Sequence, residues 1–321
     1  MTADQKPRPV LVITGPTASG KSRLALDAAE EFRGTVINAD SMQLYEELAI
    51  LTARPMPNEQ RGLPHKLYGV CKASEPCSVG AWLDMAWEEI ASAWDEDRLP
   101  MMVGGTGLYL KALMEGLSPI PEVPQAIRQN ARALHAEIGG AAFHTRLAER
   151  DPLSGERLEP GDSQRLIRAW EVLEATGRSL PDWQTDAPLA PPLAARFGVI
   201  VLDPPRPELR DAIDRRVARM VEAGALEEVG ALLALGLDPE LPAMKALGAA
   251  LLGELIQAGA GEAETNKAII ALVTATRRYA KRQSTWNRGQ IINAERISAQ
   301  YSESLSKRIF SIIRNLLLTM K

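Results

Sequence analysis

The chain has 321 residues, of which 45% are hydrophobic, and its formal net charge is −4. These values fit a protein with a substantial core, built as two domains or as one domain with an insertion, and they argue against a generally basic nucleic-acid coat. The only cysteines, Cys71 and Cys77, have neither zinc-site nor disulfide-framework spacing, so a reducing compartment is expected. The sequence has no apolar signal core and no membrane-length apolar stretch, which predicts a cytoplasmic protein without membrane contact.

A phosphate-binding loop follows the first predicted strand, residues 10–13. The segment Gly15-Pro-Thr-Ala-Ser-Gly-Lys-Ser22 fills the pattern G-x-x-x-x-G-K-[ST], and a helical pattern opens after it. In such a loop the backbone N–H groups and the helix N-terminus attract phosphate oxygens, while Lys21 adds a positive charge and the Ser22 hydroxyl is placed to ligate Mg²⁺. The motif predicts a phosphorylated ligand without identifying it. The candidate phosphate-binding residues are Gly15, Pro16, Thr17, Ala18, Ser19, Gly20, Lys21 and Ser22.

Two further predicted strands end in candidate functional residues. Residues 35–40 form a short buried pattern that ends at Asp40, and residues 100–103 precede a glycine-rich segment that contains Thr106. The β-α-β order predicts a mostly parallel sheet with its ligand at the carboxyl ends of the strands. Asp40 could accept a proton or hold Mg²⁺ through water, or it could cap a helix. Thr106 could lie in the same crevice or belong to a tight turn.

The middle of the chain differs in character from its two ends. Residues 125–177 show helical patterns only, between two proline-rich segments, and a strand pattern returns at residues 197–202. The predicted fold is therefore an α/β, P-loop NTPase-like core with a mostly parallel sheet and a small all-helical insertion. Its expected parts are residues 1–118, the insertion 119–193, and residues 194–321. Helices are predicted after that strand at residues 208–223, 225–235, 243–257 and 262–286.

A basic stripe marks the last long predicted helix. Arg277 and Lys281 are four residues apart, as are Arg278 and Arg282, so one side of the helix is strongly cationic. Charge runs are often only solvated faces. Here aromatic residues are interleaved and matching carboxylates are missing from the run, which favours contact with RNA phosphates and stacking on bases.

Taken together, these motifs resemble the tRNA dimethylallyltransferases, the tRNA isopentenyltransferase family. The phosphate loop alone is shared with many kinases, whereas the whole series is specific and runs in the family's order from about residue 9 to 290. The matching segments are Gly15–Ser22, Asp40–Tyr45, Thr52–Pro55, Pro64–His65, Val103–Tyr109, Asp162–Arg168, Met220–Val229, Pro242–Gly248 and Thr276–Trp286.

The resemblance implies a reaction. Dimethylallyl diphosphate gives its five-carbon group to the exocyclic N6 of the adenosine immediately 3′ of the anticodon in a tRNA, and diphosphate leaves. Asp40 then corresponds to the base and Thr106 to a positioning residue, while the phosphate loop with Mg²⁺ holds the diphosphate. Most relatives carry an arginine where Ala212 stands, and Arg215 or Arg216 could substitute for it.

The resemblance also implies an RNA-binding surface on a monomeric protein, with the helical insertion holding the anticodon stem-loop. The implied tRNA contacts are Asp40, Ser41, Met42, Gln43, Thr106, Arg128, Gln164, Arg165, Leu166, Ile167, Arg168, Lys245, Gly248, Arg277, Lys281, Arg282, Gln283, Trp286 and Arg288.

Three alternatives share the phosphate loop. A small-molecule kinase of the shikimate or nucleotide type would need a lid arginine but no cationic stripe. An adenylate isopentenyltransferase acting on free AMP or ADP would leave the insertion and the basic helix without a role. A nucleotide-switched binding module would leave Asp40 and Thr106 unexplained. The sequence favours tRNA prenylation over all three.

Overall fold

The computed structural model describes residues 6–189, 191–259 and 261–319. Its strands are β1 (Arg8–Thr14), β2 (Gly34–Asn38), β3 (His65–Lys66), β4 (Leu99–Gly104), β5 (Ala195–Leu202) and β6 (Glu295–Ile297). Its α-helices are α1 (Lys21–Glu31), α2 (Val79–Asp95), α3 (Gly107–Glu115), α4 (Gln125–Arg150), α5 (Pro152–Arg157), α6 (Ser163–Thr176), α7 (Leu180–Trp183), α8 (Arg206–Glu222), α9 (Ala225–Ala234), α10 (Ala249–Gln257), α11 (Glu262–Gln290) and α12 (Ser306–Thr319).

The strands form one parallel sheet in the order β3-β2-β4-β1-β5-β6. In the centre, Leu11 of β1 pairs with Met101 of β4 and with Gly198 of β5. Residues 10–13 are fully buried, and such continuous apolar runs are typical of strands covered on both faces. The predicted α/β core with its parallel sheet is confirmed. The carboxyl ends of β1, β2, β4 and β5 therefore meet at one edge of the sheet.

Helices cover both faces of this sheet. Trp82 and Ile90 of α2 belong to one buried cluster, and Leu24 of α1 packs with Ile309 of α12 in another. A third cluster joins α8, α9, α10 and α11 away from the sheet. Among the described residues, the helices lack the combination of length and apolar character that crossing a bilayer requires.

The structure departs from the sequence-based expectation at two strands and one helix. The strands β3 and β6 were not predicted, since two or three residues are too few to show an alternating pattern. Residues 243–257 were expected to form one helix. Instead, a 3-10 turn at Pro242–Lys245 is separated from α10 by Gly248, whose φ of 98° lies in the left-handed region and interrupts the helix.

The chain divides into two compact units. One consists of residues 6–114 together with 192–319 and contains the sheet; the other lies within Glu115–Pro191 and contains α4 to α7. The second unit has its own core, formed by Phe143 and Leu147 of α4 and by Leu166 and Ala169 of α6.

Candidate active site

The phosphate loop connects β1 to α1 at the carboxyl edge of the sheet. Gly20 stands at the N-cap of α1 with φ 94°, and a Cβ there would come within 2.8 Å of Tyr301 Cβ, so glycine is required both for the turn and for space. The Lys21 ammonium turns back over the loop and donates to the carbonyl oxygens of Gly15 and Pro16 at 2.9 and 2.8 Å. The carbonyl groups of the loop therefore hold the Lys21 ammonium against the loop backbone.

Hydroxyl groups line the base of the same loop. Those of Thr14 and Ser19 are buried without a hydrogen-bond partner among the described residues, and Ser22 is exposed in the first turn of α1. Magnesium sites at phosphates use few protein ligands and complete their shell with phosphate oxygens and water. The described residues contain no cluster of three or more His, Cys, Asp or Glu arranged around a metal ion. Hydroxyls with unused hydrogen-bonding capacity fit an ion held mainly by a phosphorylated ligand.

Asp40 lies in a tight corner just beyond β2. The side chain of Asn38 accepts from the Asp40 N–H at 2.8 Å and donates to the Asp40 carbonyl at 3.0 Å. Asp40 Oδ1 accepts from the Met42 N–H at 3.1 Å. One carboxylate oxygen thus organises a turn, while the residue as a whole lines a cavity. The capping alternative expected a helix here, but residues 41–44 form a turn and no helix begins at Asp40.

Thr106 reaches the same corner from the carboxyl end of β4. Its hydroxyl oxygen accepts from the Ser41 N–H at 3.0 Å, and it can donate to the Ser41 hydroxyl at 3.3 Å. Its backbone N–H donates to the Ala39 carbonyl at 3.2 Å. The structure therefore places the glycine-rich turn directly against the Asp40 segment.

A single buried side chain on α11 joins the phosphate loop to this turn. Gln283 Oε1 accepts from the Thr17 N–H at 2.7 Å, and its Nε2 donates to the Gly105 carbonyl at 3.0 Å. A Cβ at Gly105 would lie 2.2 Å from that nitrogen, so only glycine lets the amide approach. The side chain of Gln283 is 6% exposed, and both of its polar atoms are engaged within the protein.

A cavity of about 280 Å³ opens beside these loops. One part of its wall is polar, with Thr17, Asp40 and Arg216, and the rest is largely apolar. The remaining lining residues are Met42, Leu51, Thr52, Met220, Lys245, Ala246, Leu247, Leu272, Thr276, Tyr279 and Arg282. The cavity can hold an anion and an apolar group side by side, next to a carboxylate.

Positive charge dominates the polar end of the cavity. Burial lowers the pKa of Lys21 to about 8; the Asp40 carboxylate opposes this shift and Arg216 adds to it. Burial likewise lowers the pKa of Arg216, again against the effect of Asp40, and the Arg216 guanidinium donates to the Thr52 carbonyl at 2.8 Å. Two partly desolvated cations share one carboxylate, so the site is electrostatically suited to a further anion. Arg216 lines the cavity, whereas Arg215 is exposed and does not.

The sequence analysis did not identify Glu228 as a functional residue. Glu228 does not line the cavity, but it holds a turn that does. Its carboxylate accepts from the N–H groups of Ala49, Ile50 and Leu51 at 2.7–2.8 Å. These bonds fix the turn that places Leu51 and Thr52 in the wall. In the sequence, Glu228 lies within the matching segment Met220–Val229 and in the first turn of a predicted helix. Neither feature indicates partners that are 177 to 179 residues away.

Three of the predicted tRNA contacts are buried in the structure. Leu166 is fully buried in the core of the second unit, Gly248 packs under Leu272, and Gln283 forms the bridge described above. The expectation that these side chains face RNA is corrected by the structure: those of Leu166 and Gln283 are enclosed by the protein, and Gly248 has none to present.

The other predicted RNA contacts on the sheet-bearing unit lie mostly at or near the surface. Lys281 and Arg282 are exposed, and the Arg282 guanidinium lies 5.6 Å from the centre of the Tyr279 ring. Several side chains are held by protein partners: Arg277 by Asp214, Arg288 by Asp203, Lys245 by Glu240 and Gln43 by the carbonyls of Thr52 and Ala53. Ser41 and Met42 are half-buried beside Asp40, and half-buried Trp286 packs against Gly107.

In the second unit, the predicted RNA contacts fall on α4 and α6. Gln164 and Arg165 are exposed on α6, and Arg168 pairs with Glu171 at 3.4 Å. Ile167 and Arg128 are half-buried. The exposed side chains of Gln164 and Arg165 give α6 a solvent-accessible polar face.

The Gln283 bridge predicts a stability effect. We expect Gln283→Leu to lower the free energy of unfolding by about 1–3 kcal/mol, because the Thr17 N–H and the Gly105 carbonyl lose their partner in a half-buried setting. Urea denaturation measures the effect, with Gln257→Leu at an exposed position of α10 as the matched control. Equal unfolding midpoints for the two variants would contradict a structural role for the bridge.

The lowered pKa of Lys21 predicts a pH effect on stability. Between about pH 8 and the usual lysine value of 10.5, the unfolded chain binds the proton more tightly than the folded chain, so this group makes folding more favourable as pH rises. Wild type should therefore gain stability relative to Lys21→Met between pH 8 and 9.5, and the difference should be constant below about pH 7. Denaturant midpoints that run parallel across this range would show that the charge is not desolvated.

Comparison with known proteins places the chain in a family. Residues 43–290 match the model of the family described as IPP transferase, and residues 8–68 match that described as isopentenyl transferase. Among solved structures, the tRNA isopentenylpyrophosphate transferase of Bacillus halodurans is 29% identical with a TM-score of 0.71, and the alignment covers 98% of each chain. A eukaryotic dimethylallyltransferase solved acting on tRNA has a TM-score of 0.81 over 97% of this chain and 80% of its own, at 24% identity, and shows the fold alone.

Curated relatives agree over nearly the full length. The tRNA dimethylallyltransferase of Paramagnetospirillum magneticum is 55% identical, with 97% of this chain and 98% of that protein covered. The enzyme of the same name from Rhodospirillum centenum is also 55% identical, over 90% and 91% of the two chains. Thr17 of the phosphate loop and Asp40 line one cavity, and the Thr106 turn packs against the Asp40 segment. Together with these matches, this arrangement leads to one conclusion: the chain belongs to the tRNA dimethylallyltransferase family.

Proposed function

We propose that the protein transfers the dimethylallyl group of dimethylallyl diphosphate to N6 of the adenosine immediately 3′ of the anticodon in tRNA, releasing diphosphate. The observation that carries this proposal is the composition of the cavity. Thr17 of the phosphate loop, Asp40 and an apolar wall line the same space of about 280 Å³. A kinase acting on a small polar acceptor has no use for the apolar wall.

The polar end of the cavity suits the diphosphate. Arg216 lines this end, and Lys21 carries a charge that interacts with both Asp40 and Arg216. Thr17, which also lines the cavity, belongs to the loop that would face the phosphates. As the C1–O bond of the donor breaks, the electron pair leaves with the diphosphate, and fixed cations stabilise the growing negative charge. Ser22 is the residue that would hold Mg²⁺, which neutralises diphosphate charge when bound.

The apolar wall suits the five-carbon group. Met42, Leu51, Met220, Leu247 and Leu272 come from four different segments and line the cavity beside the polar end. An allylic carbon that develops positive charge reacts rapidly with water, and an apolar lining limits the access of water to it. The wall thus both binds the donor and protects it.

Asp40 is placed to take the proton from the acceptor. The N6 lone pair of adenine is delocalised into the ring, so the nitrogen becomes an adequate nucleophile only if a base removes a proton while the C–N bond forms. Asn38 holds the Asp40 backbone, and the Met42 N–H holds the Asp40 carboxylate beside the cavity. Thr106 shares a hydrogen bond with Ser41 and would position the reacting groups. The target base has to leave its stack to reach this depth.

The RNA would be held by cations around the cavity. Arg278, Lys281 and Arg282 are exposed on α11, where they can pair with phosphates, and Tyr279 offers an aromatic face. In the second unit, exposed Gln164 and Arg165 of α6 support contact with the anticodon stem-loop. Phosphate contacts position an RNA, whereas the flipped base selects the reaction site.

The proposed reaction is tested by its product. Purified protein is incubated with Mg²⁺, dimethylallyl diphosphate and unmodified tRNA, and the digested nucleosides are weighed by mass spectrometry. We expect an adenosine heavier by one dimethylallyl group, from the position next to the anticodon. Consumption of ATP in the presence of small metabolites, with unmodified tRNA recovered, would support a kinase instead.

The role of Asp40 predicts a selective defect. We expect Asp40→Asn to lower kcat by about 10²- to 10⁴-fold, the usual contribution of a general base, because the amide keeps the Met42 contact but cannot accept the proton. The affinity for tRNA should change little. Asp84→Asn, an exposed change on α2, serves as the matched control. Normal turnover combined with lost tRNA binding would refute the assignment.

A further inference from the structure

A second cavity lies on another face of α11, away from the proposed reaction cavity. It has a volume of about 450 Å³ and runs between the first half of α8 and the last half of α11. We call it the α8–α11 groove. Its lining residues are Asp203, Pro204, Arg206, Leu209, Arg210, Ile213, Thr274, Arg277, Arg278, Ala280, Lys281, Ser284, Thr285 and Arg288.

The groove concentrates positive charge in an otherwise acidic chain. Six of its lining side chains are cationic and one is a carboxylate, while the whole protein carries a net charge of −4. Two of the arginines are neutralised by ion pairs with Asp214 and Asp203. Within the described parts of the chain, no ion pair engages Arg206, Arg210, Arg278 or Lys281, and all four are exposed. Such an excess favours a polyanionic ligand.

The cations are arranged as two facing rows. Arg206 and Arg210 are four residues apart on α8, which puts them one turn apart on the same face. On α11, Arg277 and Lys281 are four residues apart, and Arg288 follows seven residues later, two turns along the helix. Ser284 and Thr285, also on α11, line the groove and add neutral hydroxyl donors. Two rows of donors along a groove match a chain of repeated phosphates better than one small anion.

The groove and the reaction cavity open at the same edge of the sheet. The groove starts at Asp203 and Pro204, directly after β5, and the carbonyl of Leu202, the last residue of β5, lies 2.3 Å from where a Cβ of Gly15 would be. On α11, Gln283 contacts the phosphate loop while its neighbours Lys281 and Ser284 face the groove. The groove therefore begins next to the phosphate loop.

We propose that the α8–α11 groove binds the phosphodiester backbone of the substrate RNA next to the modified nucleotide, with Arg206 and Arg210 as the second row of phosphate contacts. This inference rests on the proposed function, since it takes tRNA as the ligand. It adds α8 to the RNA surface, a helix on which the sequence analysis placed no tRNA contact.

The experiment measures tRNA affinity as a function of salt. Each phosphate contact contributes about one unit to the slope of log Kd against log salt. We expect the double variant Arg206→Gln/Arg210→Gln to lose about two units of slope and to bind tRNA about tenfold more weakly at 0.15 M salt. Lys267→Gln, exposed on α11 outside both cavities, is the matched control. Arg206→Lys/Arg210→Lys retains the charges and should restore most of the slope.

The outcomes separate the groove from the reaction. A double variant that matches Lys267→Gln in slope and affinity would overturn the groove assignment, whatever the product assay gives. Loss of slope in the double variant, with no prenylated adenosine from the wild type, would support an RNA groove and refute the proposed function. A raised KM for tRNA with an unchanged KM for dimethylallyl diphosphate would support both. Competition by inorganic phosphate at low millimolar concentration, equal to that by RNA, would show a small-anion site and contradict the proposal.

Discussion

The geometry of the site depends on one side-chain amide. Gln283 accepts from Thr17 and donates to Gly105, residues that are 266 and 178 positions away in the sequence. Its length sets the separation between the phosphate loop and the turn that carries Thr106. Since Thr106 in turn contacts Ser41, the same amide indirectly fixes the distance from the phosphate loop to Asp40. A reaction between two bound substrates needs such fixed separations, because proximity and orientation supply much of the rate.

The second constraint is electrostatic. Lys21 and Arg216 are partly removed from water with a single carboxylate to compensate them. Burying an incompletely compensated charge is costly, and proteins accept this cost mainly where function uses the charge. A diphosphate would bring the missing negative charge. The apolar wall beside these cations lowers the local dielectric and strengthens every interaction at the polar end.

The sequence predicted the local features of this site and missed those that depend on distant partners. The phosphate loop, Asp40 and Thr106 each follow a strand whose apolar run is readable from a few residues, and parallel topology brings strand ends together. Glu228 and Gln283 act through partners on other elements, which no local pattern reveals. Gln283 also stands within a run of charged residues, where a polar side chain is expected to face solvent. Leu166 was assigned to the RNA surface because it lies within a matching motif. Its apolar side chain is instead buried in the core of the second unit.

The helix α11 is a wall shared by two compartments. One face holds the phosphate loop through Gln283, and another presents Arg277, Lys281 and Arg288 to the groove. If α11 moves as a rigid helix, a shift of its groove-lining face also moves Gln283 and the phosphate loop that Gln283 contacts. Thermodynamic linkage requires the effect to be reciprocal: to whatever extent a polyanion on the outer face alters the position of Gln283, a diphosphate in the loop alters the affinity of the outer face by the same factor. The affinities for the two ligands would then be coupled through a single helix.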